Sequence, residues 1–221
     1  MRHMFQNAGV RASVICLLAL GLAASPVFAQ QKPKPAQPPA SVAKAQPAPA
    51  SAAEKAMMDA MMKAATPGEN HKLLASIDGN WTFVNKYWMD PKAPPAESTG
   101  TATRTPIMGG RYIQGVYKGV MGGMPFEGMG IDAYDNVTQQ FVSSWIDNMG
   151  TGLTVLSGKY NAATKTVTYK GDTGDMMNPG KTYKVRQVIR LETADRFVME
   201  WYETHGGKEA KTMEIVYTRK K

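Results

Sequence analysis

The chain has 221 residues, a formal charge of +8 at neutral pH and a single cysteine. That length accommodates one domain with a sizeable core plus extensions. One cysteine rules out an intrachain disulfide framework, and scattered lysines and arginines, without zinc-finger spacing or a helix-turn-helix pattern, give nucleic-acid binding no support beyond the charge.

Residues 1–29 read as an export signal. Arg2 and Arg11 make a weakly basic start, ASVICLLALGLAA is an apolar run, and Ala29 stands at a suitable cleavage position. An uncleaved anchor is the rival reading, but the run is shorter than the ~18 apolar residues a span requires. The expectation is an exported protein, periplasmic or secreted, with no transmembrane span in its mature chain. Loss of the leader removes Cys16, Arg2 and Arg11, which takes the charge from +8 to +6 and leaves no thiol.

Residues 30–52 are rich in Pro, Ala, Gln and Lys. They offer no apolar face and are expected to form a disordered, partly polyproline tether. Residues 53–66 change character. AEKAMMDAMMKAA consists of helix formers, with Met57, Met58, Met61 and Met62 recurring at helical spacing. ATPGE stops the helix. Two readings are open: a helix packed on the domain, and a soft surface for a partner in the cell envelope.

Residues 69–221 are expected to form the folded domain. Period-two runs separated by turn residues recur from WTFVNKYWMD to EAKTMEIVYTRK, with MGG, GGMP, DNVT, MGTG, NAATK, TAD and GGK between them. They number about ten and no long helical segment interrupts them. The predicted fold class is all-β, an antiparallel up-and-down β-barrel, with a flattened sandwich as the rival. Closure would remove exposed strand edges. On the last strand Met213, Ile215, Tyr217 and Arg219 share a side. Before the first strand, LLASI forms a helical turn leading into Gly79-Asn80-Trp81. Gly79 permits the sharp turn, Trp81 plugs the barrel end, and Arg219 is placed to stack over it and join first strand to last.

GNW after a short helical turn resembles the Gly-x-Trp signature of lipocalins and the wider calycin group. Those folds are eight- or ten-stranded barrels that hold apolar ligands or, in one branch, haem. IDGNWTF, TRTPIMGGRYIQGVYKG, PFEGMGIDAYDN, FVSSWIDNMGTG, YKGD, KVRQVIR and KEAKTMEIVYTRK together resemble the bacterial domain of unknown function 1579 family, over nearly the whole of 79–221. The resemblance implies a calycin-like barrel and carries no reaction.

Function is less legible. GMGIDAYDNVTQQFVSSWIDN reads as a hairpin turning at Asp135-Asn136. Gly128 and Gly130 leave room above their strand, to be filled by Trp145 or Tyr134 or by a ligand. Trp88, Tyr112, Tyr134, Trp145 and Trp201 are the aromatic candidates for contact with a small apolar or amphipathic ligand, and Arg111 and Asp147 are the polar ones. Arg111 and Asp147 are also placed to pair across a barrel mouth. Asp132, Glu127 and Arg186 complete the charged residues expected to face inward.

No catalytic residue is assigned. Ser143 and Ser144 lack a G-x-S-x-G elbow. Glu127, Asp132, Asp147 and Glu200 offer an acid pair without a compact signature. Two separated histidines do not make a metal site; His205, near a strand end, is the one candidate for an axial haem ligand, and its plainer reading is an exposed histidine. Three functional readings follow: a non-catalytic binding barrel, a closed barrel acting as a structural or interaction module in the envelope, and a low-turnover enzyme using an acid pair.

Overall fold

A computed structural model describes residues 51–90 and 92–221; the expected leader and most of the tether lie outside the described residues. Helix α1 spans Ala52–Ala65 and helix α2 spans Glu69–Ala75. Ten strands follow: β1 Gly79–Tyr87, β2 Ala96–Ile107, β3 Tyr112–Met121, β4 Met124–Asp135, β5 Gln140–Asp147, β6 Thr154–Asn161, β7 Thr166–Gly174, β8 Thr182–Thr193, β9 Arg196–His205 and β10 Lys208–Arg219. Each pairs antiparallel with the next, and β10 pairs back on β1, so the sheet is a closed barrel without a free edge.

Turn chemistry sets the meander. Gly109-Gly110, Gly122-Gly123 and Gly206-Gly207 all have positive φ, which costs glycine nothing. In the β4–β5 hairpin, Asp135 accepts hydrogen bonds from the Val137 amide (2.8 Å) and the Thr138 hydroxyl (2.7 Å). That side-chain turn holds the reversal where the sequence suggested it.

Closing the sheet forces strands to bend, and glycines stand where they do so. Gly158 on β6 pairs with Tyr169 on β7. A Cβ at Gly158 would run into the Thr168 carbonyl and come within 2.8 Å of the Tyr169 Cα. Backbone cannot swing aside as a side chain can. Gly158→Ala is therefore expected to destabilise the barrel by about 3 kcal/mol, the upper end of overpacking costs, measured by urea denaturation.

The barrel core is densest at the end capped by α2. Trp81 and Tyr169 are 0 % exposed, and Phe83, Ile113, Tyr117, Phe141, Leu156, Val167, Ile189, Phe197 and Tyr217 are buried with them. Leu74 from α2 and Ile77 just after it join this cluster. His71 of α2 is buried edge-on against Tyr134, and its Nδ1 accepts the Gly68 amide at 3.0 Å. Burial holds this imidazole below the usual histidine range.

Helix α1 does not pack on the domain. None of its residues is buried, and Met57, Met58, Met61 and Met62 are 55–61 % exposed. A capping box starts the helix: Ser51 Oγ accepts the Glu54 amide, and Glu54 accepts the Ser51 amide at 2.7 Å. Its C-terminal end is tied to the barrel by the Asn136 side-chain amide, which donates to the Ala64 (3.0 Å) and Thr66 (2.8 Å) carbonyls. No described helix is long and apolar enough to cross a membrane.

Candidate functional site

The two barrel ends differ. At the α2 end, Arg219 closes the seam between β1 and β10. Its guanidinium lies 4.2 Å from the Trp81 ring centroid and donates to the carbonyls of Asp78 (2.6 Å), Ser76 (3.2 Å) and Ala194 (3.0 Å). Gly79 has φ +98°, and a Cβ there would stand 2.7 Å from the Arg219 guanidinium. Glycine is required twice over at this position, once by the backbone and once by the cation beside it.

Deeper in the same half, Arg104 of β2 is buried. It donates to Asp132 of β4 (2.7 Å), to the Tyr117 hydroxyl of β3 (2.8 Å) and to the Ile77 carbonyl (3.0 Å). The side chains of Arg104 and Asp132 are 3 % and 11 % exposed. Burial works against the charge on Arg104; its bonds to Tyr117 and Asp132 outweigh that and raise its pKa. Burial also pushes up the phenols of Tyr117, Tyr169 and Tyr217, which stay neutral. The pair is internally matched and leaves no free charge for a ligand.

The end away from α2 is built differently. Strand register puts Tyr87, Phe126, Trp145, Asp147, Tyr183, Trp201 and Glu203 on the inward face near their strand ends. Apart from the more open Tyr87, these are only half-buried. Trp145 donates its indole N–H to Asp147 at 2.7 Å, and Trp201 donates to Glu203 at 3.2 Å. The two share one local pattern, Trp-Ile-Asp and Trp-Tyr-Glu: alternation puts the indole and the carboxylate on the same face, with the carboxylate nearer the mouth. β5 and β9 are separated by three strands one way and five the other, so the two pairs lie nearly opposite each other. Burial and Glu203 together push the Tyr183 hydroxyl up to about 12.

Loops and strand ends at this end carry exposed apolar side chains: Met89, Met124, Met149, Leu153, Met176 and Met177. The mouth thus has an aromatic inner wall, two carboxylates and a flexible thioether rim.

The family model described as "Protein of unknown function (DUF1579)" matches residues 66–219. The chain belongs to this family. The match begins just before α2 and ends on Arg219, so it takes in the whole barrel and leaves α1 outside. A search of curated proteins finds no match. Among solved structures, the crystal structure of Rv2717c from M. tuberculosis is similar at 12 % identity with a TM-score of 0.54, covering 71 % of this chain and all of that one. At that identity the likeness speaks to the fold alone. A redesigned β-barrel, b11L5F_LGL, also matches at 12 % identity with a TM-score of 0.35, covering 66 % of this chain and 94 % of that one.

Of the residues expected to line the family barrel, Trp145, Asp147 and Trp201 reach the mouth. Tyr134 faces inward at the opposite end, packed on His71 and Phe141. Three others do not face the interior. Tyr112 precedes inward Ile113 and is exposed; Arg111 is exposed in the β2–β3 turn, donating to the Met108 carbonyl at 3.1 Å; Trp88 follows β1 with the Lys211 ammonium 5.4 Å from its ring centroid. The expected Arg111–Asp147 pair does not form, because Arg111 is at the α2 end of β3 and Asp147 at the far end of β5.

Other charges are corrected similarly. Arg186 is on the outer wall, over the Tyr202 ring at 3.7 Å and bidentate to Glu209. Glu127 pairs with Lys118 and Glu200 with Arg190 and Lys211 on the outside. The four acids considered for an acid pair therefore do not converge. His205 is exposed, 3.0 Å from Glu203 and against the Tyr183 ring. The room above Gly128 is filled: a Cβ there would meet the Trp145 ring at 2.5 Å.

Arg104, Phe126, Tyr183 and Glu203 were missed from sequence. Arg104 did leave a signal. It stands between Ala102 and Pro106 on one face of β2, a lone cation among residues too small and apolar to suggest an outer wall. Glu203 repeats two residues after Trp201 what Asp147 does after Trp145.

Proposed function

We propose that this is an exported, non-catalytic binding protein, periplasmic or secreted, with a calycin-like barrel that holds a small apolar or amphipathic molecule at the mouth away from α2. The asymmetry of the interior carries this reading. One half is packed to complete burial around Trp81 and Tyr169, whereas Phe126, Trp145, Tyr183 and Trp201 face inward at the other end and stay part-exposed. Large aromatic side chains left half-wet on a concave wall supply burial to a ligand, and a few polar groups orient it. The soft rim of Met89, Met124, Met176 and Met177 suits an apolar guest of variable shape.

Native mass spectrometry of protein purified from its own envelope without detergent tests this. A stoichiometric adduct released on denaturation is the expected result. A clean apoprotein mass under gentle conditions would favour the closed interaction module instead. One observation supports that second reading: the four exposed methionines of α1 form an apolar patch that nothing among the described residues covers.

A further inference from the structure

We propose that the mouth selects a cationic amphiphile, an organic ammonium on an apolar body, by means of Glu203, Asp147 and the aromatic side chains beside them. The proposal rests on the reading that the mouth holds a ligand, and it specifies the head group.

Charge at this end is the first ground. Glu203 is 18 % exposed, accepts the Trp201 indole N–H at 3.2 Å and lies 3.0 Å from His205 Nε2. The indole is a neutral donor, and so is the His205 ring in its neutral form. They fix the carboxylate without cancelling its charge. Asp147 is held by the Trp145 indole and by the Met149 amide at 2.9 Å, again neutral donors. The cations of the surrounding strands are turned outward and matched there: Lys86 with Glu97, Lys118 with Glu127, Lys184 with Asp172, Arg186 with Glu209 and Lys211 with Glu214. Lys208, in register with His205 at the hairpin tip, is exposed. Lys92 and Lys181 in the loops at this end are exposed as well, so it is the inner wall of the mouth, with Asp147 and Glu203, that is acidic in this basic chain.

Aromatic faces are the second. Trp201 donates to Glu203, and register places Tyr183 and Tyr87 on the same inward face near this end. A cation near such rings gains from their quadrupoles, and more so when partly desolvated. An anionic head group would meet two carboxylates, with exposed Lys208 at the hairpin tip as the nearby cation.

The third ground is an unsatisfied acceptor. Asn85 is 3 % exposed and lies on the inward face of β1, two residues deeper than Tyr87. Its amide nitrogen donates to Ser98 Oγ at 3.3 Å, while its Oδ1 has no partner. A buried acceptor without a donor is costly and calls for one. A protonated amine brings N–H donors, whereas a fatty acid anion or an alkyl sulfate brings none.

The test uses the purified protein in the form the cell produces. Decylammonium, decanol and decyl sulfate, which share one alkyl chain, are titrated below the micellar concentrations of the two ions and the solubility limit of decanol, with tryptophan fluorescence and calorimetry as readouts. Decylammonium is expected to bind about tenfold more tightly than decanol, the order of a partly desolvated cation–π and ion contact, and decyl sulfate more weakly than either. The Asp147→Asn, Glu203→Gln double variant is expected to abolish the preference for decylammonium over decanol, read as the ratio of the two affinities. Because the wild-type comparison stands by itself, a variant that fails to fold does not remove the test. Equal binding of decylammonium and decanol, or a preference for decyl sulfate, overturns the cationic assignment and leaves a binding mouth. No binding of any probe overturns the binding mouth as well.

Discussion

Replacing Asp132 with leucine is expected to destabilise the protein by about 3–5 kcal/mol, because it strands a buried guanidinium without its counter-charge. Arg104 is closed in on every side: Asp132, Tyr117 and the Ile77 carbonyl take its donors, and the Phe197 ring lies 6.0 Å from the guanidinium carbon. No water can replace the lost carboxylate at that depth without opening the core. Arg104→Met is expected to cost a similar amount by stranding Asp132. The decisive variant removes the whole network. Arg104→Met with Asp132→Leu and Tyr117→Phe should recover most of either loss, because a buried ion pair is worth little against well-packed apolar side chains of similar volume. Urea denaturation with an unchanged m-value reads all three. Single variants that each cost under about 1 kcal/mol would show that the pair is not held in a dry core. A loss of 3–5 kcal/mol is a large share of the ~5–15 kcal/mol that keeps a domain folded.

Trp81→Ala is the second large effect, about 3–5 kcal/mol. The indole is fully buried, meets Phe197 edge-on at 4.7 Å and lies under Arg219 at 4.2 Å. Its removal leaves a cavity at the seam where β1 meets β10, and the rigid barrel cannot collapse to fill it. Arg219→Ala is expected to cost less, since the guanidinium is partly exposed and water can reach the carbonyls it leaves. The two losses should not add. Removing Trp81 takes away the surface on which Arg219 lies, so a double-mutant cycle is expected to show coupling of about 0.5–3 kcal/mol. Amide exchange along β1 and β10 gives a local reading of the same event, with faster exchange at the Trp81–Arg219 end of the ladder than at β6–β7. Uniform loss of protection around the barrel would mean that the seam is not a separate unit.

Both effects, and the mouth, depend on which side chains share the barrel interior. For this the sequence was informative strand by strand. Alternation placed Met213, Ile215, Tyr217 and Arg219 on one face of β10, and register puts them beside Tyr87, Asn85, Phe83 and Trp81. Turn residues marked ten strands, and closure followed from the need to pair every edge. Gly79, Trp81 and Arg219 were legible because glycine, a large aromatic and a cation at the two ends of one chain make sense only if those ends meet.

Other placements were not legible for a reason that applies to any barrel. Period two says which residues of a strand agree with one another, but not which of the two sets faces in. Tyr112 and Ile113, or Arg111 and Tyr112, exchange sides with a one-residue slip. Nor does a strand's pattern say at which end of the barrel a residue lies relative to residues on other strands. Arg111 and Asp147 appeared as partners because their charges match; up-and-down order sends them to opposite ends. Arg104 and Asp132, 28 residues apart, meet because β3 lies between their strands and sets both registers, and no local signal records that.

The sequence by itself determined the strands, their turns, the closed order and the glycines, since each of these follows from local backbone geometry and the cost of an unpaired edge. Only the tertiary structure decided that one end is packed around a neutralised ion pair while the other holds two indole-anchored carboxylates, because burial and charge pairing are properties of strands brought together across the barrel and not of any one of them.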